Sequence, residues 1–235
     1  MALPFFYQEA IDPGQTIVDL DGDTSRHVIS VLRMKQGDPV HLTDGKGHLL
    51  TAEIMEEYKK KCSVRITGSQ FIDPPSRKVT IALSLLKNNH RFEWFLEKAT
   101  EIGIAEIIPL LSERTERQHF RADRMKNVLT SAMLQSQQVW LPVLQEPVAL
   151  ETLLRQLSQQ QKFIAHCIEG EKKNLGELVD SSLASQVILI GPEGDFTPAE
   201  TAFALQQGFV PVALGNTRLR TETAGVVAAA ILMVN

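Results

Sequence analysis

The residues best suited to chemistry fall in two stretches, Val187 to Glu200 and Val212 to Met233. In the first, VILIGPEGDFTPAE, a buried-looking apolar run enters Gly191-Pro192-Glu193-Gly194 and then a marked helix start, with Thr197 as cap, Pro198 in the first turn and Glu200 closing a capping box. Glycine backbone at the carboxyl end of a strand lets a ligand approach closely, and the unpaired amides of a helix start can bind it. A strand-to-helix turn with no ligand explains the same residues equally well. In the second stretch another apolar run ends at Leu214-Gly215 and passes through Asn216 to Thr223 into a very apolar helix, of a kind usually buried on most sides. The loop carries Arg218, Arg220 and Glu222, with hydroxyls on Thr217, Thr221 and Thr223. Charges held between a core strand and a core helix are costly unless they pair or serve a ligand, so the choice lies between an Arg220 to Glu222 salt bridge and a binding loop.

Other chemistries find no support. The chain has no GxGxxG dinucleotide fingerprint, no GxxxxGK[ST] phosphate loop and no GxSxG nucleophile elbow. His27, His41, His48, His90, His119 and His166 form no HExxH or other close ligand pair, and Cys62 and Cys167 lie far apart, so neither a metal nor a disulfide framework is expected. That cysteine usage suits a reducing cytoplasm. The opening residues MALPFFYQEA lack the basic-then-apolar pattern of a secretory signal. The longest apolar run, near Ala224 to Val234, is well short of the roughly 20 residues that span a bilayer. A cytoplasmic protein with no membrane partner is the expectation.

The elements that must position the two stretches can be read from patterning. Hydrophobic residues make up 43% and charged residues 22% of the 235, which fits a globular chain and leaves no disordered tail or fibrous repeat. The segment GDPVHLTDGKGHLLTAEIMEE alternates apolar and polar positions around Asp44-Gly45 and Lys46-Gly47, as a small β-rich unit does. Before it, Ser25 to Met34 places Val28, Val31, Leu32 and Met34 at helical intervals. Asp73-Pro74-Pro75-Ser76 breaks regular structure and is read as the boundary between domains at 1–73 and 74–235. Beyond it apolar runs alternate with helical stretches, the pattern of an α/β domain with a mostly parallel sheet. Strands are predicted at Val79 to Leu86, Ile104 to Leu111, Lys162 to Cys167, Val187 to Gly191 and Pro211 to Leu214. A helix is predicted with Phe92, Phe95, Leu96, Ala99 and Ile102 on one face and Gly103 as its stop.

The net charge of −4 argues at first against a polyanionic partner. Only residues 74–126 carry a basic excess, ten Lys or Arg against seven Asp or Glu. Within them Arg114, Arg117, Arg121, Arg124 and Lys126 recur at intervals that suit one basic helical face, a basic loop or an ordinary solvated surface.

Taken together, HVISVLRMKQGD (27–38), FEWFLEKATEIGIAEIIPLLSERTE (92–116), LIGPEGDFTPAE (189–200) and LGNTRLRTETA (214–224) resemble the RsmE family of 16S ribosomal RNA uridine-N3 methyltransferases, of the knotted SPOUT class. The resemblance implies an N-terminal PUA-like β-barrel that helps bind RNA and a C-terminal domain tied in a deep trefoil knot. It also implies a homodimer with S-adenosylmethionine held among the knot loops. The cofactor residues it implies are Ile168, Glu169, Gly191, Pro192, Glu193, Gly194, Leu214, Gly215, Asn216, Leu219 and Arg220. The sequence departs from the family pattern where Asp195 follows Gly194 in place of a second glycine. It departs again at Leu134-Gln135-Ser136-Gln137-Gln138, which lacks a glutamate and an arginine whose roles are therefore not carried over.

The implied reaction moves a methyl group in line from a sulfonium to a ring nitrogen that must first lose its proton. Arg220 is the candidate for stabilising negative charge on the uracil oxygens, with Glu222 orienting it. His27, Arg33, Arg114, Arg117, Arg121 and Arg124 are candidates for holding phosphates of the 16S rRNA or small subunit around a turned-out base. The competing expectations are a non-catalytic RNA-binding assembly factor and a methyltransferase acting on transfer RNA.

Overall fold

The computed structural model describes residues 3–12, 14–58, 61–116 and 119–234. Contacts divide the chain into two units, Met1–Pro74 with Met133–Leu141, and Pro75–Ala132 with Pro142–Asn235. The grouping of Met133–Leu141 with the first unit departs from the continuous division read from sequence. Its cause is hydrogen bonding: Gly47 N–H donates to Val139 O, Leu141 N–H to Gly45 O and Trp140 Nε1 to Ile72 O.

The first unit contains β1 (Phe5–Tyr7), β2 (Ile17–Asp19), the short helix α1 (Gly22–Arg26), β3 (Pro39–Thr43), β4 (His48–Tyr58) and β5 (Lys61–Phe71). The predicted hairpin forms, with Thr43 opposite Leu49 across Asp44 to Gly47. The strands pair in the order β1-β3-β4-β5-β2. Register shifts at Thr51/Ala52 and Ile54/Glu56 let the long β4–β5 ribbon twist. One face of every strand therefore meets a single core, from Phe6 and Val18 through Val40, Leu42, Leu50 and Ile54 to Cys62 and Val64. The helix expected over Ser25 to Met34 begins earlier, because Asp21 caps it through the amides of Asp23 and Thr24, and it continues as a π-helical turn over His27–Val31. That wider turn keeps Val28 in the core but carries Val31 and Leu32 to the surface, 63% and 42% exposed.

The second unit contains β6 (Lys78–Ser84), α2 (Asn89–Ile102), β7 (Glu106–Leu111), α3 (Ala122–Gln135) up to Ala132, β8 (Val143–Leu144), β9 (Val148–Ala149), α4 (Leu150–Gln156), β10 (Gln161–Ala165), β11 (Lys173–Asn174), α5 (Leu175–Leu178), β12 (Ser185–Ile190), α6 (Pro198–Gln206), β13 (Val210–Ala213) and α7 (Thr221–Val234). All five predicted strands form, and the sheet runs β11-β13-β10-β12-β6-β7-β8 with β9 also on β7. Every pairing among its described strands is parallel. Strand alternation supplies two layers. Ala82, Ile108, Leu110, Ile164, Val187 and Leu189 pack with Leu150, Leu153, Leu154 and Ala204 of α4 and α6. On the other face α2 and α7 pack together over β6. A Cβ added at Gly225 of α7 would stand 2.5 Å from Leu83 and 2.7 Å from Phe95, so only glycine allows this close crossing. The α2 prediction holds at Phe92, Phe95, Leu96 and Ala99, with Gly103 as the left-handed cap, while Ile102 is half-buried. Helix α7 is buried along one stripe, Thr221, Glu222, Gly225, Ala228, Ala229 and Leu232, and not on most sides as expected. Among the described residues no helix is long and apolar enough to cross a membrane.

Candidate active site

Strands β13, β10 and β12 are neighbours in the sheet although far apart in sequence, so the loops leaving their carboxyl ends converge. They enclose a cleft of about 510 Å³. That size suits a ligand of cofactor dimensions, and the carboxyl edge of parallel strands is where open α/β sheets bind them. The two stretches singled out in the sequence thus face each other, with a third loop, His166 to Lys172, between their parent strands.

Of the implied cofactor residues, Gly191, Pro192, Glu193, Leu214, Gly215, Asn216, Leu219 and Arg220 line the cleft. Gly215 has φ +132°, a conformation side chains rarely adopt, and this turns the loop over the cleft. Ile168, Glu169 and Gly194 are exposed and lie outside the wall. The reason for the first two is that β10 ends at Ala165, so the turn entering the cleft is His166–Cys167, two positions earlier than the predicted strand end implied.

The loop after β12 is pinned from both sides. Asp195 adopts φ +64° and accepts hydrogen bonds from Cys167 N–H and Phe196 N–H, each 2.8 Å. Arg114 Nη1 donates to Gly194 O at 2.7 Å. The predicted capping box is present, and Glu200, besides completing it, accepts from Glu113 N–H at 2.7 Å. In the neighbouring loop Lys172 Nζ donates to the carbonyls of His166 and Ile168. Burial pushes the His166 imidazole below its ordinary pKa, and the Lys172 ammonium adds to this while Asp195 opposes it. The Nδ1 of His166 is buried without a hydrogen-bond partner among the described residues. Buried polar atoms without a partner are uncommon, and this one belongs to a residue of the cleft wall. The His166 imidazole, the exposed carboxylate at Glu193 and the loop backbone form a donor and acceptor set that fits a nucleoside carrying an amino-acid chain.

The Arg220 to Glu222 pairing is not what forms. Glu222 is 6% exposed, lies outside the cleft wall, and its Oε1 is 3.6 Å from Nε of Arg91 on α2. Arg91 itself lines the cleft, as does Arg220. The guanidinium that Glu222 faces is therefore that of Arg91. Sequence reasoning missed Arg91, His166 and Lys172. Only Arg91 carried a signal, as the one basic residue in the first turn of a strongly patterned core helix.

The basic residues do not share one helical face. Arg114 lies in the turn after β7, Arg121 precedes α3, and Arg124 on α3 is engaged by Glu93, with Nη2 2.8 Å from Oε2. The Arg124 hydrogen bond holds the Glu93 carboxyl below its usual range despite burial. Arg121 is exposed, and so are His27 and Arg33, the latter at φ +56° just beyond the π-helical turn. Arg117 lies outside the described residues. Among the described residues no group of three or more His, Cys, Asp or Glu is placed to hold a metal ion.

Comparison with known proteins gives this geometry a lineage. Residues 73–233 match the model of the RNA methyltransferase domain, and residues 20–67 match that of the RNA methyltransferase PUA domain. The ribosomal RNA small subunit methyltransferase E of Synechocystis is 31% identical over 232 residues, covering 95% of this chain and 76% of the relative. The crystal structure of an rRNA-methyltransferase from Porphyromonas gingivalis, described as probable, is 37% identical with a TM-score of 0.89, covering 97% of this chain and 95% of that one. The ribosomal RNA small subunit methyltransferase E of Neisseria gonorrhoeae, bound to S-adenosyl methionine, is 29% identical with a TM-score of 0.86, covering 99% and 98%. With domain models matched across both units and similarity to such enzymes along nearly its whole length, the chain belongs to the RNA methyltransferase family, among the small subunit methyltransferases E.

Proposed function

We propose that this protein methylates N3 of a specific uridine in 16S rRNA of the small ribosomal subunit, using S-adenosylmethionine. The carrying observation is the meeting of three strand-end loops around one cleft of about 510 Å³. Gly191 to Glu193, Leu214 to Asn216, Leu219 and the His166–Cys167 turn would hold the cofactor, which when bound supplies an electrophilic methyl group. The protein's part is then alignment, exclusion of water and charge stabilisation. Arg220, and Arg91 held by Glu222, bring two guanidinium groups to the cleft wall, where they stabilise negative charge on the uracil oxygens as N3 loses its proton. Glu222 acts through Arg91 as a positioning residue.

The N-terminal unit, with exposed His27 and Arg33, and the exposed Arg121 would hold flanking phosphates. Arg114 serves the cofactor loop first, through Gly194 O. We further infer a trefoil-knotted C-terminal domain that works in the cytoplasm as a homodimer, for which Trp94 on α2 and Val234 on α7, 41% and 84% exposed, offer apolar surface to a second copy.

Nucleoside mass spectrometry of rRNA from cells with and without the gene tests the reading. The expected result is loss of one N3-methyluridine, restored by the wild-type gene. An unchanged methyluridine profile, together with no S-adenosylmethionine binding in calorimetry, would overturn it.

A further inference from the structure

Among the groups that line the cleft, Asp195 alone ties two of its walls together through its own side chain in the bonds described. Its Oδ2 accepts from the Cys167 amide, 28 residues away, at 2.8 Å, and its Oδ1 accepts from the Phe196 amide at 2.8 Å. The remaining ties on the His166–Ile168 turn come from Lys172, which caps the carbonyls of His166 and Ile168 from within the same loop. Lys172 therefore shapes the turn but does not set its distance from the loop after β12. Beyond the last paired residues of β10 and β12, Ala165 and Ile190, the tie between the two loops is the Asp195 carboxylate.

The backbone shows the same priority. Asp195 sits at φ +64°, a left-handed conformation that glycine adopts freely and that aspartate is among the few other residues to tolerate. A glycine would take this φ without strain, yet it would leave the Cys167 amide without its acceptor. Gly194, immediately before it, is held by Arg114 through its carbonyl, so the loop is anchored on its far side toward β7 as well as on its near side toward β10.

We propose that Asp195 is a positioning residue of the cofactor pocket, whose carboxylate latches the His166–Cys167 turn to the Gly191–Phe196 loop and sets the width of the cleft for an adenosyl ligand. The inference rests on the reading of that cleft as the S-adenosylmethionine site. A latch of this kind prepays the ordering of two loops before a ligand arrives, so it acts on affinity. Its loss removes a hydrogen bond to a charged acceptor, which corresponds to about tenfold in binding.

The test uses the full chain, with S-adenosylhomocysteine as probe, in wild type, Asp195→Gly and Asp195→Asn. Dissociation constants come from calorimetry, and from protection of Cys167 against alkylation, which reports on this turn because Cys167 is exposed while Cys62 is buried. The glycine variant keeps the backbone conformation and loses the latch, so its Kd is expected to rise about tenfold. The asparagine variant keeps one acceptor oxygen and loses the other, so it should fall between the two. With small ribosomal subunits as substrate, KM for S-adenosylmethionine should rise by more than kcat falls. Without ligand, the melting temperature of the glycine variant should stay within about 4 °C of wild type.

An Asp195→Gly protein whose Kd is within about twofold of wild type, a change too small for the loss of such a bond, would overturn the proposal. So would a fall in kcat at unchanged KM. Should the glycine variant fail to fold, Asp195→Asn decides alone, weaker binding supporting the latch and equal binding overturning it. Failure of the wild type itself to bind S-adenosylhomocysteine would instead overturn the reading of the site.

Discussion

At the amino ends of the parallel strands, polar side chains join in a hydrogen-bonded network, with Gln186 Oε1 buried outside it. Glu106, 7% exposed, accepts from Gln145 Nε2 at 2.7 Å and Thr80 Oγ1 at 3.1 Å, and faces Lys78 Nζ at 3.0 Å. Nearby, Gln161 accepts from Asp180 N–H and from Gln186 Nε2, each at 3.0 Å. At the carboxyl ends of the same sheet the loops open into the cleft. Asp195 and Gly215 hold positive φ, while His166 Nδ1 and Glu222 Oε2 are buried without a hydrogen-bond partner among the described residues. The difference teaches where this protein spends its polar groups. The amino edge ties its polar side chains mainly to one another, and the carboxyl edge arranges them around a cleft, as binding sites do.

Substitutions at the two edges should therefore separate function from stability. The largest effect is expected for Arg220→Ala: kcat/KM for methyl transfer to small ribosomal subunits should fall about hundredfold or more, as when one preorganised charge-stabilising donor is removed. Because Arg220 is exposed, its melting curve should hardly move. An Arg220→Ala enzyme of normal activity would break the comparison at the carboxyl edge.

Glu106→Gln should do the opposite, costing about 1–3 kcal/mol in denaturant unfolding by turning an amide donor toward partners that also donate. Its affinity for S-adenosylhomocysteine should match wild type, and weakened binding would show that the amino edge is not purely structural. pH sharpens this prediction. Burial alone would raise the Glu106 carboxyl, but hydrogen bonds from Gln145 and Lys78 outweigh it and hold it below the usual range. A depressed folded pKa stabilises fully above the unfolded value of about 4.3 and loses that contribution as pH falls through the folded value. The stability gap between wild type and Glu106→Gln should therefore narrow as pH is lowered below about 4, and a gap that widens there would reverse the assigned sign.

The smallest effect is expected at Thr197, which lies at the functional edge but serves a helix. Thr197→Ala should cost about 1 kcal/mol of stability through the lost cap. A loss of cofactor affinity exceeding that of Asp195→Gly would mean that the cap, and not the latch, orders the loop.

Much of this was legible in the sequence because it rests on neighbours along the chain. Continuous apolar runs between helical stretches marked β6, β7, β10, β12 and β13, helical spacing marked α2, and Thr197-Pro198-Glu200 marked the start of α6. Side-chain periodicity and capping act over two to four residues, so they can be read in a line. The pair of C-terminal loops was visible for the same reason. Tertiary structure alone decided which groups face one another. It inserted the His166–Cys167 turn between those loops, in place of Ile168 and Glu169, because strand order sets β10 between β12 and β13. It gave Glu222 to Arg91 through the packing of α7 on α2, and split a basic run among a turn, a helix start and an ion pair with Glu93. It carried Met133–Leu141 to the N-terminal unit through backbone bonds to the β3–β4 turn. Such pairings join residues whose separation in sequence has no period, so their energy exists only once the sheet and helices have brought them together.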